Sequence, residues 1–569
     1  MLAIAVAFVA LLGGFLPAAA TDDTFDSFLR EGFELHQQGR FAQAITPLER
    51  AHRLQPEDYF ANLLLGIDYL RTGQAHKALS FLGRASRAKP TDATALGYSA
   101  EAHAASGRVD LAIGALHAAK RRDPSPRWRA ALIRLYLARF RTISHELRLT
   151  KSGLARSYRL QAQAMRERND PTESDTLLRA YSLFPDLEGI ESELAHAEIR
   201  RQRFDLARRF LQRARARNPE DLDMIAGEAY LAAHEGDWEV AETRLRELAR
   251  RSRHRARAAL REWPDSTPLP DRLRHAVEEG DASTTAAAAR ASDIRELFAT
   301  QNWDAVASGV SPTADSPDEL FRLGVAQARL KRFAKAVAPL ELARSDSQYR
   351  GEADYWLALS YARLAEEETE ALSRDQSASP ILHAVRGEIL LRLAGNGAAA
   401  AAEYRIAVGS TPGDPALWAG LAAAQNLAGD WDGARQSALK SLALDPNRAL
   451  ASRTFAEVCM QERDYAGAIP ALKKVLGLEP TDIGAQFLLG TAYSQTGEHE
   501  QALQLLKAAE RQGFPDEKGR LQYLLGTVLR KLNRPEEARA AFRRSQELAD
   551  AFAKTSHELA RPVADSGRN

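Results

Sequence analysis

From about residue 25 to about residue 550, apolar positions fall three and four residues apart, the period of helices that bury one face. Short polar breaks cut this pattern into helix-sized pieces. Gly73 and Gly497 stand in breaks where the chain must turn, and prolines close alternate pieces. Pro56, Pro90 and Pro124 are successively 34 residues apart. The pattern therefore predicts a repeated pair of helices.

Other landmarks travel with the prolines. Before Pro90 stand Leu65-Gly66, Tyr69, Gly73, Ala78, Leu82 and Ala85; before Pro56, Gly32, Gly39, Ala44, Leu48 and Ala51 fill the same slots. A small residue on the first helix and Ala on the second let two antiparallel helices approach closely, while Leu or Tyr fills the space between them. Leu323-Gly324 with Ala336 and Leu340, Leu489-Gly490 with Tyr493, Ala502 and Leu506, and Leu525-Gly526 with Ala538 and Phe542 repeat the arrangement. At these positions the sequence resembles the tetratricopeptide-repeat family. The resemblance implies an all-α solenoid of helix-turn-helix units, a right-handed superhelix of roughly a dozen repeats.

The same landmarks suggest an organisation. Residues 21–262 read as a first array, with an irregular helical part near 125–155 that lacks the landmarks. Residues 263–271 are a Pro-rich linker, 272–316 degenerate helical repeats, 317–557 a second array ending in a polar capping helix, and 558–569 a disordered tail. The solenoid is thus one array or two. Because each repeat of a solenoid contacts its neighbours, truncation is expected to weaken it gradually.

Leu2 to Ala20 carry no charge, and Pro17 with Ala18, Ala19 and Ala20 precede Thr21. This reads as a secretory signal peptide over residues 1–20 and an exported protein, periplasmic or extracellular; the rival reading is an uncleaved anchor, the one membrane contact expected.

Composition narrows the chemistry. In 569 residues, 77 Lys and Arg face 76 Asp and Glu, a balance that argues against a nucleic-acid partner. The single cysteine, Cys459, excludes an internal disulfide and any multi-thiolate metal site. It occupies the slot held by Tyr69 and Tyr493 in other copies, so a packed thiol is expected. His145-Glu146 and His557-Glu558 lack the second histidine of a zinc-protease motif, and the thirteen histidines include no i, i+4 pair. There is no nucleophile elbow and no phosphate-binding glycine loop. No catalytic residue, metal or cofactor is assigned, and the chain reads as a non-enzyme.

What remains is a surface. The family resemblance implies that successive first helices line a concave groove for a protein or peptide partner. Counting from the landmarks, its candidates are Tyr98, Glu101, Tyr230, Phe321, Arg322, Tyr355, Arg453, Glu457, Phe487, Arg520 and Tyr523, rings interleaved with charges. Family members that clamp a terminal carboxylate use Lys and Asn where this chain has Leu63, Ile67, Ala419, Ala423, Phe487 and Thr491, so that ligand class is not expected. The alternative is a polyanion or anionic glycan held on arginine-rich second helices, at Arg208, Arg213, Arg217, Arg246, Arg250 and Arg257. Alternating carboxylates such as Glu235 and Glu242 favour a merely solvated face there.

Overall fold

The computed structural model describes residues 24–148, 150–167, 170–263, 269–278, 293–375, 379–393, 395–514, 516 and 518–560. The signal-peptide assignment at 1–20, residues 264–268 of the linker, residues 279–292 of the degenerate region and the tail from 561 lie outside these. Among the described residues there are thirty helices and no strand. No described helix is long and apolar enough to cross a membrane.

Most helices pair as antiparallel hairpins, beginning with Phe25–Gln37 and Phe41–Leu54 and ending with Arg520–Lys531 and Pro535–Ala560. Two local devices repeat. The first is a Pro-x-Asp junction. Pro56, Pro219, Pro412 and Pro480 each precede by two residues an Asp that caps the next first helix, as Asp58 does by accepting from the Ala61 amide at 2.7 Å and Asp482 from Ala485 at 3.0 Å. An aspartate there satisfies an orphan amide and favours the positive end of the helix dipole. The second is the close approach inside a hairpin. A Cβ on Gly66 would lie 2.5 Å from Leu82 Cγ, and one on Gly324 would lie 2.4 Å from Leu340 Cγ. Glycine admits the leucine knob, which is why the small residue and the leucine recur together.

The chain divides into two compact units, residues 1–135 and 136–569. The sequence suggested a break at 263–271, and the structure corrects this. Leu273 and Val277, beyond the Pro-rich run, are fully buried in the same core as Leu211, Leu245 and Trp263. The Asp271–Glu278 helix packs on Trp238–Arg251, so the core continues across the prolines. The division falls instead within the 22-residue helix Pro126–Leu147. Pro535–Ala560 is one 26-residue helix, so the stretch expected to cap the second array continues its last second helix.

Repeats also meet partners other than their sequence neighbours, which corrects the nearest-neighbour expectation. Within the second unit, residues about 200 apart in sequence meet. Tyr136 and Tyr361, 1% and 0% exposed, lie ring to ring at 6.1 Å. Around them Arg139 bonds Glu341 at 2.6 Å, Arg344 bonds Glu146 at 2.6 Å, Arg156 bonds Glu352 at 2.8 Å, and the Tyr355 hydroxyl donates to Gln163 at 2.8 Å. The irregular 125–155 stretch that lacked landmarks is the partner side of this closure. Its residues are chosen for a remote helix, Arg350–Ser373, and for the Phe333–Ala343 helix before it, rather than for the next repeat.

Candidate functional site

Successive first helices touch one another in both units, as Tyr59–Arg71 touches Thr94–Ala105 and Pro415–Leu427 touches Ala449–Gln461. The second helices following them do not pack together to that extent. Rows spaced closely on one side and widely on the other curve toward the close side, so the first helices form the inner row.

In the first unit, Tyr98 and Glu101 lie on Thr94–Ala105. The Arg71 guanidinium stands 5.9 Å from the Tyr98 ring centroid and 3.4 Å from Glu101. The Glu101 side chain is 51% exposed. Desolvation nonetheless raises its carboxyl pKa, against the opposing pull of Arg71 and Arg134.

In the second unit, Arg453 and Glu457 belong to a polar ladder across three repeats. Asn426 donates to Glu457 at 2.9 Å, Arg453 Nε donates to the same carboxylate at 3.2 Å, and Arg453 Nη1 reaches Asp482 at 2.6 Å. Burial raises the Glu457 pKa although Arg453 opposes the shift. Sequence reasoning found the two middle members and missed Asn426 and Asp482. The Pro-x-Asp cap was the available signal for Asp482, since a capping carboxylate keeps one oxygen free for a neighbour. Arg520 is exposed on the last first helix, and Tyr523 beside it is 62% exposed, its ring set edge-on to Phe542 with the centroids 5.6 Å apart.

The remaining aromatic candidates are engaged internally. Phe487 stacks on Phe514 at 4.3 Å, and Phe321 on Tyr349 at 5.1 Å. Arg322 pairs with Asp318 at 3.0 Å and lies over the Phe298 ring. Tyr230 and Tyr355 are each 3% exposed and present no ring to a ligand, which corrects their assignment to an open groove. The Tyr230 hydroxyl donates to the Ala259 carbonyl at 2.9 Å, with Trp263 edge-on to the ring. Tyr355 lies under Arg159, which is itself bound bidentately to Glu193. Position within the repeat predicted the side of the helix but not its occupants, Ala259 and Trp263 against Tyr230 and the remote Lys151–Glu167 helix against Tyr355.

Half of the named arginines on these helices are paired with carboxylates. Arg208 pairs with Asp205 and Glu235, Arg217 with Glu191 and Asp186, and Arg246 with Glu242. Arg213 meets the Tyr181 hydroxyl and the Phe210 ring. Arg250 and Arg257 are exposed. With Arg208, Arg217 and Arg246 paired to carboxylates, the face is mixed and solvated rather than a field of one sign, which weighs against the polyanion reading. Cys459 is fully buried, and burial raises its thiol pKa, as befits a packing residue. Among the described residues no group of three His, Cys, Asp or Glu is placed to hold a metal ion.

Family profiles described as tetratricopeptide repeat match residues 69–135 and 459–518, residues 389–449, and residues 519–552. No curated protein matches the chain. Among solved structures, MamA 41-end from Desulfovibrio magneticus RS-1 is 24% identical over 30% of this chain and 96% of its own, with a TM-score of 0.28. A crystal structure of MamA protein is 21% identical over 32% of this chain and 96% of its own, with a TM-score of 0.27.

Proposed function

We propose that this chain, a multi-repeat tetratricopeptide protein, is a non-catalytic scaffold that holds a segment of a partner protein along its inner row of first helices. Protein interaction in general is the role that such repeats support; the inner row and the residues on it are our reading. Arg520 and Tyr523 carry it. The Tyr523 ring is backed by Phe542 and stands on a helix fixed by buried Leu521, Leu525 and Val528, yet it is 62% exposed. A ring held on one side and open on the other offers contact area with little side-chain entropy left to lose, and the adjacent guanidinium supplies directional donors. Tyr98, Arg71 and Glu101 repeat that combination on the first unit. The uncharged run Leu2 to Ala20 supports work outside the cytoplasm, in the periplasm or cell envelope.

Photocrosslinking tests the reading. A benzophenone amino acid at position 523 of the full chain is expected to capture one partner segment in cells, one at exposed Leu342 on a second helix is not, and the Arg520→Ala/Tyr523→Ala variant is expected to lose that partner in pull-down. Equal capture from position 342, or full retention by the double variant, would overturn the inner-row assignment. Fractionation of cells tests location: a protein found wholly in the cytoplasm contradicts export.

A further inference from the structure

Second helices diverge on the outer side, and between Gly397–Ser410 and Trp431–Leu444 they leave a groove of about 450 Å³. We propose that this groove is a second docking site, separate from the inner row, for an acidic amphipathic helix of a partner protein. Its floor is Val408, Trp418 and Leu421. The polar groups around the floor are committed within the protein: the Trp418 indole donates to the Pro412 carbonyl at 2.8 Å, Ser437 donates to Gln425 at 2.7 Å, and Gln425 donates to Asp430 at 3.0 Å. The floor therefore offers ring and methyl surface to an apolar anchor.

Cations rim the groove on both sides. Arg405 is 56% exposed, and its carboxylate partner Asp430 lies at 3.8 Å, too far for a hydrogen bond. Lys440, on the opposite wall, is exposed and makes no ion pair among the described residues. The next second helix, Tyr465–Leu478, continues the charge with exposed Lys474. Apolar anchors at i and i+4 entering a narrow cleft, with carboxylates meeting the rim, is helix-in-groove recognition. Charge on the rim sets register and partner choice. A flat lipid surface would meet the cations without reaching Trp418 at the base.

The test uses the full chain and fluorescence anisotropy of a fluorescein-labelled helical peptide with Leu and Phe at i and i+4 in a glutamate-rich background. Lys440→Glu and Arg405→Glu are each expected to weaken binding at least about tenfold. Gln436→Trp, at an exposed wall position, should fill the groove and abolish it, while Lys335→Glu on another second helix should leave it unchanged. Circular dichroism should be the same for all four, and Arg520→Ala/Tyr523→Ala should bind the peptide normally, which keeps this site distinct from the inner row. Equal binding of a peptide with Lys for every Glu overturns the proposal, as does normal binding by the three groove variants. Retention of phosphatidylglycerol-containing vesicles in place of the peptide also overturns it and assigns the cations to a membrane.

Discussion

Glu341→Ala is expected to destabilise the second unit more than Arg139→Ala, although the two side chains form one ion pair. Arg139 reaches the same Glu341 oxygen through Nη2 at 2.6 Å and Nε at 3.2 Å, and the two side chains are only 18% and 19% exposed. Without Arg139, Glu341 keeps Arg344 at 3.4 Å and the Tyr361 hydroxyl at 3.4 Å. Without Glu341, Arg139 loses the carboxylate that outweighs its desolvation. Stranding a buried charge costs about 3–5 kcal/mol and breaking an exposed pair about 0–1 kcal/mol. A pair four-fifths buried, with one member rescued and the other not, gives about 3 kcal/mol for Glu341→Ala and about 1–2 kcal/mol for Arg139→Ala. The double variant should cost no more than Glu341→Ala alone, because no charge is left stranded. Urea unfolding with hydrogen exchange read separately over residues 136–167 and 333–361 checks this. Both segments should lose protection together. Equal or reversed costs would refute the reasoning, as would loss confined to one segment.

The remaining predictions concern packing, pH and long-range support. Gly66→Ala should destabilise the first unit by about 1–3 kcal/mol through overpacking against Leu82, and adding Leu82→Ala should cost less than the sum of the single changes; thermal melts of the four proteins measure the coupling. Burial lowers the His196 pKa to about 4, with the ring Nε2–H donating to the Asp223 carbonyl at 2.8 Å. The folded chain therefore resists a proton that the unfolded chain accepts near pH 6.5, so stability is lost as pH falls from about 6.5 to about 4, by up to about 3 kcal/mol. His196→Gln should flatten that limb of the stability–pH curve; an unchanged slope would show that the ring titrates freely. Deleting residues 317–560 should raise exchange in 136–167, far from the cut in sequence; unchanged protection there would restore a purely nearest-neighbour solenoid.

The hairpins were legible because their cause is local and repeated. Gly66 with Leu82, Gly324 with Leu340 and Gly490 with Leu506 each place a glycine under a leucine of the same hairpin. A local steric rule copied at a fixed interval shows in one sequence without any comparison. The Pro-x-Asp caps are equally local and were open to the same reading. Arg453 and Glu457 were found because each lies on the inner side of its own helix, whereas Asn426, on the same side of the preceding first helix, was passed over although it donates to Glu457. Tyr355 was misassigned for a different reason. Its slot is an inner-row slot, but its occupant is Arg159 and Gln163, nearly two hundred residues away, and no periodicity of 34 encodes that distance.

That long-range closure bears on where a partner can bind. The inner faces of Lys151–Glu167 and Arg350–Ser373 meet each other through Tyr355, Arg159 and Glu352, so those first helices have already used their rings and charges. A ligand there would have to displace the Tyr355 hydrogen bond and leave Arg159 and Glu193 short of contacts, a cost a flexible segment would not recover. The closure contacts named here involve neither Thr94–Ala105 in the first unit nor Arg520–Lys531 in the second, the helices that carry the proposed Tyr98 and Tyr523 contacts. Weakening the closure by Glu341→Ala should therefore leave capture at Tyr523 intact. Loss of both together would mean that the inner row works only as one continuous, closed surface.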